Sequence, residues 1–377
     1  MGALALTINV QETNYDAPTE WRMLGAKGKA DHVMALCERH GIKPQSVLEV
    51  GAGDGSILRC LSESGFGERL YALEISQSGV DVIHRQQIPR LIACHAFDGY
   101  SIPFEDDFFD VLVLSHVLEH VEYERALLRE LKRVSKYQVI EIPMDCNSLG
   151  DEVYHLLGPS YGHINAHSPE SLRFLLSTEG FKVVDDTLGQ YSLSLLEYDH
   201  FVNNSRERTP EAVEGFRRQY QKGEIEFAAL PRGEQQRRAS YYTVLACKEG
   251  SGERLERALR GIKRCITGGQ VQAARLIFDH YIPLHLVSSC ALEVARDAAD
   301  VNPRIALEFL DRVVASDGEN ADALALRSRI ETFVTSFPTC ESPTIRFIPH
   351  PNRWTGTKEH LKARFPRVAS IYSKLRR

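Results

Sequence analysis

The 377-residue chain contains no CxxC pair; its eight cysteines (Cys37, Cys60, Cys94, Cys146, Cys247, Cys265, Cys290 and Cys340) are scattered singly. That spacing excludes a zinc or disulfide framework and reads as reduced, mostly buried thiols. No run approaches the ~18 apolar residues that a membrane-crossing helix needs. The opening Met1-Gly2-Ala3-Leu4-Ala5-Leu6-Thr7 lacks a secretory leader pattern, and Leu6 stands where a myristoylation signal wants Ser or Thr. A cytoplasmic protein is the expectation. The 43% hydrophobic and 25% charged shares are those of an ordinary globular chain and exclude disordered or low-complexity classes.

The overall charge of −6 hides an asymmetry, because residues 251–377 carry +6 and the rest −12. The last 35 residues hold nine basic side chains and one acid, Glu359. Such a tail suits phosphates, anionic glycans or an acidic face, and equally a solvated basic helix.

Length predicts two domains. From Lys27 to about Thr187 helical and strand-like runs alternate, as in an α/β domain with a mostly parallel sheet. The strands fall at 46–50, 70–74, 91–94, 110–115, 138–142 and 181–186. A last strand at 241–247 follows a polar cap insertion at about 190–239. Glu249-Gly-Ser-Gly-Glu253 is the best linker. Beyond it the chain reads as helical to about Phe337. Ala274–Asp279 resembles Ala306–Asp311 at an offset of 32, a weak tetratricopeptide-like pattern. The domains are thus expected at 1–250 and 251–377, the second ending in the basic tail.

The stretch that carries chemistry is Val47-Leu-Glu-Val-Gly-Ala-Gly-Asp-Gly-Ser56. A strand carries Glu49 near its end, and Gly51, Gly53 and Gly55 let a ligand lie against the main chain at the next helix N-terminus. Ser56 stands where a dinucleotide fingerprint places its third glycine, which disfavours a pyrophosphate ligand. Glu74 ends the second strand, where an acid can accept both ribose hydroxyls. Asp98-Gly99 follows the third strand, and Val117-Leu-Glu-His-Val121 follows the fourth.

In this order the residues resemble those of class I S-adenosylmethionine-dependent methyltransferases, in the group that includes ubiquinone-pathway O-methyltransferases. The resemblance covers about 20–187 plus the late strand. It implies a seven-stranded Rossmann-like sheet, S-adenosylmethionine as methyl donor and S-adenosylhomocysteine as product. It also implies that Glu49, Gly51, Ala52, Gly53 and Gly55 hold the amino-acid end of the donor. Glu74 would clamp the ribose, Ile75, Asp98 and Gly99 would meet the adenine, and Ser115 and His116 would line the methionine moiety. Transfer is an in-line displacement that needs alignment, exclusion of water and, for a hydroxyl or protonated amine, a base. Candidate bases are His116, Glu119, His120, Asp145 and, first, His163 in Gly162-His163-Ile-Asn165. Metal-dependent relatives resemble the His116…Glu119-His120 triplet but have Glu at the position of His116, so no metal is assigned.

Residues Tyr15 to Gly25, with Trp21 and Arg22, would form a lid or pack on the domain edge. Arg206, Arg208, Arg217 and Arg218 in the cap suit an anionic acceptor or a solvated face. The expected activity is methylation of a small metabolite or saccharide, on oxygen before nitrogen, with carbon left open. The acidic core disfavours nucleic acid, though an RNA-modifying enzyme using the basic tail is one alternative. A scaffold that binds the donor and recruits a partner, or self-associates, through the helical domain is the other.

Overall fold

A computed structural model describes residues 15–336. They form two compact units that divide at Glu253/Arg254. The basic tail and the segment before Tyr15 lie outside the described residues. Among the described residues no helix is long and apolar enough to cross a membrane.

The first unit is built on one sheet. Its strands are β1 (Ser46–Val50), β2 (Arg69–Glu74), β3 (Leu91–Ala96), β4 (Phe109–Ser115), β5 (Ser135–Pro143), β6 (Phe181–Gly189) and β7 (Tyr241–Lys248). Their order is β3-β2-β1-β4-β5-β7-β6. The first five run parallel, and β7 runs antiparallel between β5 and β6. The seven-stranded mixed sheet is thus as the sequence implies. The strand order reverses beside β1, which opens a crevice at the carboxyl ends of β1 and β4.

Side chains alternate between the faces of a strand, so each strand feeds two cores. Leu48, Val50, Leu112, Leu114, Ile140 and Ile142 pack in one. Val47, Val111, Val113, Val139 and Leu245 join the other, beneath helix α1 (Glu20–Arg39). The same alternation sends Glu49, Ser115, Glu141 and Thr243 toward the α1 face at the carboxyl end of the parallel strands. Register places Glu49 beside Val113, and Glu141 between Ser115 and Thr243.

Thr19 caps helix α1 by accepting the Arg22 amide, so Trp21, Arg22 and Leu24, in the stretch expected as a lid or a domain edge, lie inside the helix. Trp21 tilts against Tyr198 at 6.2 Å between ring centres. Next come α2 (Ser56–Glu63), α3 (Gln77–Gln86) and α4 (Glu124–Val134). The 143–168 connection folds as α5 (Asp145–Leu149), α6 (Asp151–Leu157) and a 3₁₀ turn, before α7 (Pro169–Thr178). Between β6 and β7 stand α8 (Leu193–Tyr198), α9 (Pro210–Ala228) and α10 (Arg232–Arg238). In that cap Arg208 and Arg217 both bond Glu197, at 2.9 and 3.0 Å, and Arg218 pairs with Glu214 at 3.5 Å, so three of the four arginines are engaged within the fold.

The second unit is helical: α11 (Ser251–Thr267), which begins just before the division, then α12 (Val271–Tyr281), α13 (Val287–Ala298), α14 (Pro303–Ser316) and α15 (Ala321–Ser336). Its core gathers Ile262, Phe278, Ala291, Ala295, Phe309 and Leu310. The repeated sextets fall on α12 and α14, whose Phe278 and Phe309 rings meet at 4.9 Å. The tetratricopeptide-like pattern remains a resemblance.

Candidate functional site

At the end of β1 the chain must turn away from the sheet without filling the crevice. Gly51 does so at φ +71°, its amide donating to the Leu73 carbonyl at 2.8 Å. A Cβ there would sit 2.4 Å from Val117 Cγ2, so the left-handed backbone and the crowding both demand glycine. Ala52, Gly53 and Gly55 complete the loop that enters α2. Gly79 in α3 packs as tightly, since its Cβ would meet the Gly53 carbonyl at 2.7 Å.

Two acids hold this loop and its neighbour by accepting main-chain hydrogens. Glu74, buried, takes the Gly53 amide at 2.7 Å and the Ser76 amide at 3.0 Å. Asp98, exposed beyond β3, takes the Tyr100 and Ser101 amides at 2.8 and 2.6 Å, which holds its carboxyl below the usual range. Ile75, 37% exposed, lies beside Gly99 and gives the β2–β3 margin an open apolar surface. Tyr15 reaches over the loop: its amide donates to Ser78 Oγ at 2.9 Å, and Arg22 lies 4.5 Å above its ring.

Toward β4 the polar groups are buried and bare. Glu49 is 2% exposed and its Oε2 has no hydrogen-bond partner among the described residues, as is true of Ser115 Oγ. Burial pushes the Glu49 carboxyl well above its ordinary range, against the pull of Lys29. His116 turns the end of β4 in a left-handed conformation, φ +54°, which is rare outside glycine.

Glu141, near the carboxyl end of β5, gathers a network on the α1 face. Its Oε2 accepts from Thr243 at 2.7 Å and lies 2.7 Å from His32 Nδ1. His116 Nε2 stands 3.3 Å from its Oε1, off the hydrogen-bonding direction. Burial opposes ionisation of Glu141, but the His116 and His32 contacts prevail and hold its carboxyl far below the usual range. Burial drives His116 down to about 4, with Lys29 adding to the effect. Lys29 itself, one helical turn before His32, is lowered by burial against the attraction of Glu141, Glu119, Glu49 and Asp145.

Beyond β4, Glu119 is 2% exposed and neither carboxylate oxygen has a hydrogen-bond partner among the described residues. Burial raises its carboxyl to about 8. His120 Nδ1 donates to the Gly162 carbonyl at 3.0 Å, leaving Nε2 4.0 Å from Glu119 Oε1. His163 packs edge-on to His120 at 4.8 Å between rings, and its Nδ1 lies 3.3 Å from the Tyr154 hydroxyl and 3.7 Å from Asp145 Oδ2. Burial, then His120, pulls His163 down to about 4. Glu119, His120 and His163 offer ligand-type atoms within 4.8 Å of one another, a spacing that one cation, metallic or organic, can span. Beside them opens a cavity of about 180 Å³ lined by Glu119, Ile142, Met144, Asp145 and Tyr154, among others.

The structure therefore gathers Glu49, Gly51, Ala52, Gly53, Gly55, Glu74, Ser115 and His116 around the carboxyl ends of β1, β2 and β4. It sets Ile75, Asp98 and Gly99 at the outer margin. His163, Glu119, His120 and Asp145 form a second group, while His116 belongs to the Glu141 network. Sequence reasoning missed Lys29, His32, Glu141, Thr243, Gly79 and the packing of Tyr154. A polar residue ending an alternating apolar strand face, as in Val139-Ile-Glu141, was the available signal.

Residues 48–139 match the family model described as a methyltransferase domain. The demethylmenaquinone methyltransferase of Corynebacterium efficiens is 32% identical over 100 residues, 26% of this chain and 41% of that protein. The ubiquinone/menaquinone biosynthesis C-methyltransferase of Burkholderia cenocepacia is 25% identical over 188 residues, 47% of this chain and 76% of that protein. This chain thus spans about two fifths of the length of the first of these relatives. Among solved structures, the Synechocystis magnesium protoporphyrin IX methyltransferase with bound S-adenosylhomocysteine aligns at TM-score 0.39 and 16% identity, over 60% of this chain and 84% of that one. The chain carries a class I S-adenosylmethionine-dependent methyltransferase domain.

Proposed function

We propose that the first unit transfers a methyl group from S-adenosylmethionine to a small-molecule acceptor held at the carboxyl ends of β4 and β5. The observation that carries this is the pair of buried, unpartnered oxygens, Glu49 Oε2 and Ser115 Oγ, at the rim of the left-handed glycine loop. Buried polar atoms without partners are costly, and a ligand with donors between β1 and β4 satisfies them. An α-amino group is such a donor, so the residues present fit the amino-acid end of the donor molecule.

When bound, S-adenosylmethionine supplies a methyl group already activated on a sulfonium. The chain has to grip, orient and dry the site. Glu49, Ser115 and the loop from Gly51 to Gly55 take the amino-acid end. Glu74, already fixed by two amides, keeps lone pairs for the ribose hydroxyls, and Ile75, Asp98 and Gly99 border the adenine. Desolvation near Glu49, Glu119 and Glu141 strengthens their attraction for a cation. On the acceptor side Glu119, His120, His163 and Asp145 hold or move the acceptor proton. His163, expected as the base, is a weak one while buried, because a conjugate acid near 4 takes a proton from a hydroxyl poorly. Glu119, with a carboxyl near 8, is better matched to neutral pH.

The test is turnover of methyl-labelled donor by the full-length protein across pools of hydroxyl, amine and carbon acceptors. Label transferred to a small acceptor supports the reading. Tight donor binding without transfer to any pool supports a donor-binding scaffold instead.

A further inference from the structure

Resting on that reading, we propose that the acceptor is an amine whose nitrogen seats against Glu119 in the cavity between the end of β5 and α7. The cavity brings a buried carboxylate with both oxygens bare together with Asp145, the Tyr154 ring and the apolar walls Ile142 and Met144. The Asn165 amide beside it is engaged, its Nδ2 donating to the Leu118 and Val121 carbonyls at 3.3 and 2.7 Å, while His167 Nε2 stands 2.6 Å from Glu124 Oε1, off the hydrogen-bonding direction. Glu119 offers a ligand two acceptor oxygens and, when ionised, negative charge, with the Tyr154 ring beside them.

A hydroxyl brings one donor to two bare oxygens, whereas an ammonium brings three donors and the matching charge. A divalent metal ion would also bridge Glu119, His120 and His163. Its fixed double charge, however, would share the same carboxylates as the Lys29 ammonium, which acts on Glu119 and Asp145. A singly charged ammonium meets about half of that repulsion, and none once it has given up its proton. The amine enters as an ammonium, gives one proton to the Glu119 carboxylate, and remains as a neutral nitrogen with a free lone pair. That pair forms the new N–C bond while the C–S bond breaks and its electrons stay on sulfur. The positive charge passes from sulfur to the methylated nitrogen.

The test uses the full-length protein saturated with S-adenosylhomocysteine and two isosteric probes, benzylamine and benzyl alcohol, titrated by calorimetry. Benzylamine should bind at least about tenfold tighter, as charge-assisted hydrogen bonds allow. Glu119→Gln should abolish that preference while leaving S-adenosylhomocysteine affinity within about threefold. Should Glu119→Gln fold poorly, Asp145→Asn on the facing wall serves instead, with the preference falling about threefold. Equal affinity for the two probes, binding of neither, a preference that survives Glu119→Gln, or a stoichiometric divalent metal in the purified protein would overturn the inference. Failure of S-adenosylhomocysteine itself to bind would instead remove the methyl-transfer reading on which it rests.

Discussion

The outer and inner carboxylates of this site do different things. Glu74 and Asp98 spend their oxygens on main-chain amides, two apiece, and so shape the loops that carry them. Glu49 and Glu119 are buried with bare oxygens, one on Glu49 and two on Glu119. The first pair is complete without a ligand. The second costs stability until something arrives, and a fold tolerates such groups chiefly where function needs them. An acid in a glycine-loop motif can thus brace its loop before any ligand arrives, as Glu74 does, or keep an oxygen bare until one does, as Glu49 does.

The largest effect expected from breaking this contrast is at the loop both pairs depend on. Gly51→Ala puts a Cβ 2.4 Å from Val117 at φ +71°, and should cost ~2 kcal/mol or more of stability and abolish donor binding. Thermal unfolding and calorimetry check both. Glu49→Gln comes next: donor affinity should fall about 10- to 100-fold with stability unchanged or raised, since a buried ionisable group with a bare oxygen is replaced by a neutral amide. A fall in stability as large as the fall in affinity would make Glu49 a brace instead.

Glu119 gives the contrast a pH signature. Its folded carboxyl, near 8, lies above the ~4.3 of an unfolded chain, so the folded state resists ionisation. Its penalty is absent below pH ~4.3 and grows as pH rises toward 8. Relative to Glu119→Gln, the unliganded wild type should therefore lose stability from pH 5 to pH 8, read from paired denaturant curves. Glu141 has the opposite sign: its depressed carboxyl contributes stability above pH ~4.3 that is lost on acidification below it. The smallest effect belongs to Asp98→Ala, an exposed side chain whose charge water screens; donor affinity should fall less than about tenfold.

The strand pattern was legible because buried parallel strands are short β-branched runs that stop at glycine or proline, as Val47–Val50 and Val139–Pro143 do. The glycine loop and its three acids were legible because their spacing along the chain mirrors their spacing along the crevice. The α1 contribution was not. Lys29 and His32 sit at ordinary polar positions of an amphipathic helix, and only packing against β5 reveals that they face Glu141. Nor could the sequence separate Glu74 from Glu49, since the hydrogen bonds that distinguish them come from Gly53 and Ser76. The short helices of the 143–168 connection escaped notice because neither spans two full turns of periodic pattern.

The most direct test of the central claim is an equilibrium titration of the full-length protein with S-adenosylmethionine, in wild type and Glu49→Gln. The account predicts one molecule bound per chain in the wild type and at least about tenfold weaker binding in the variant, with its fold intact. An intact wild type that binds none, or a variant that binds as well as the wild type, would contradict it.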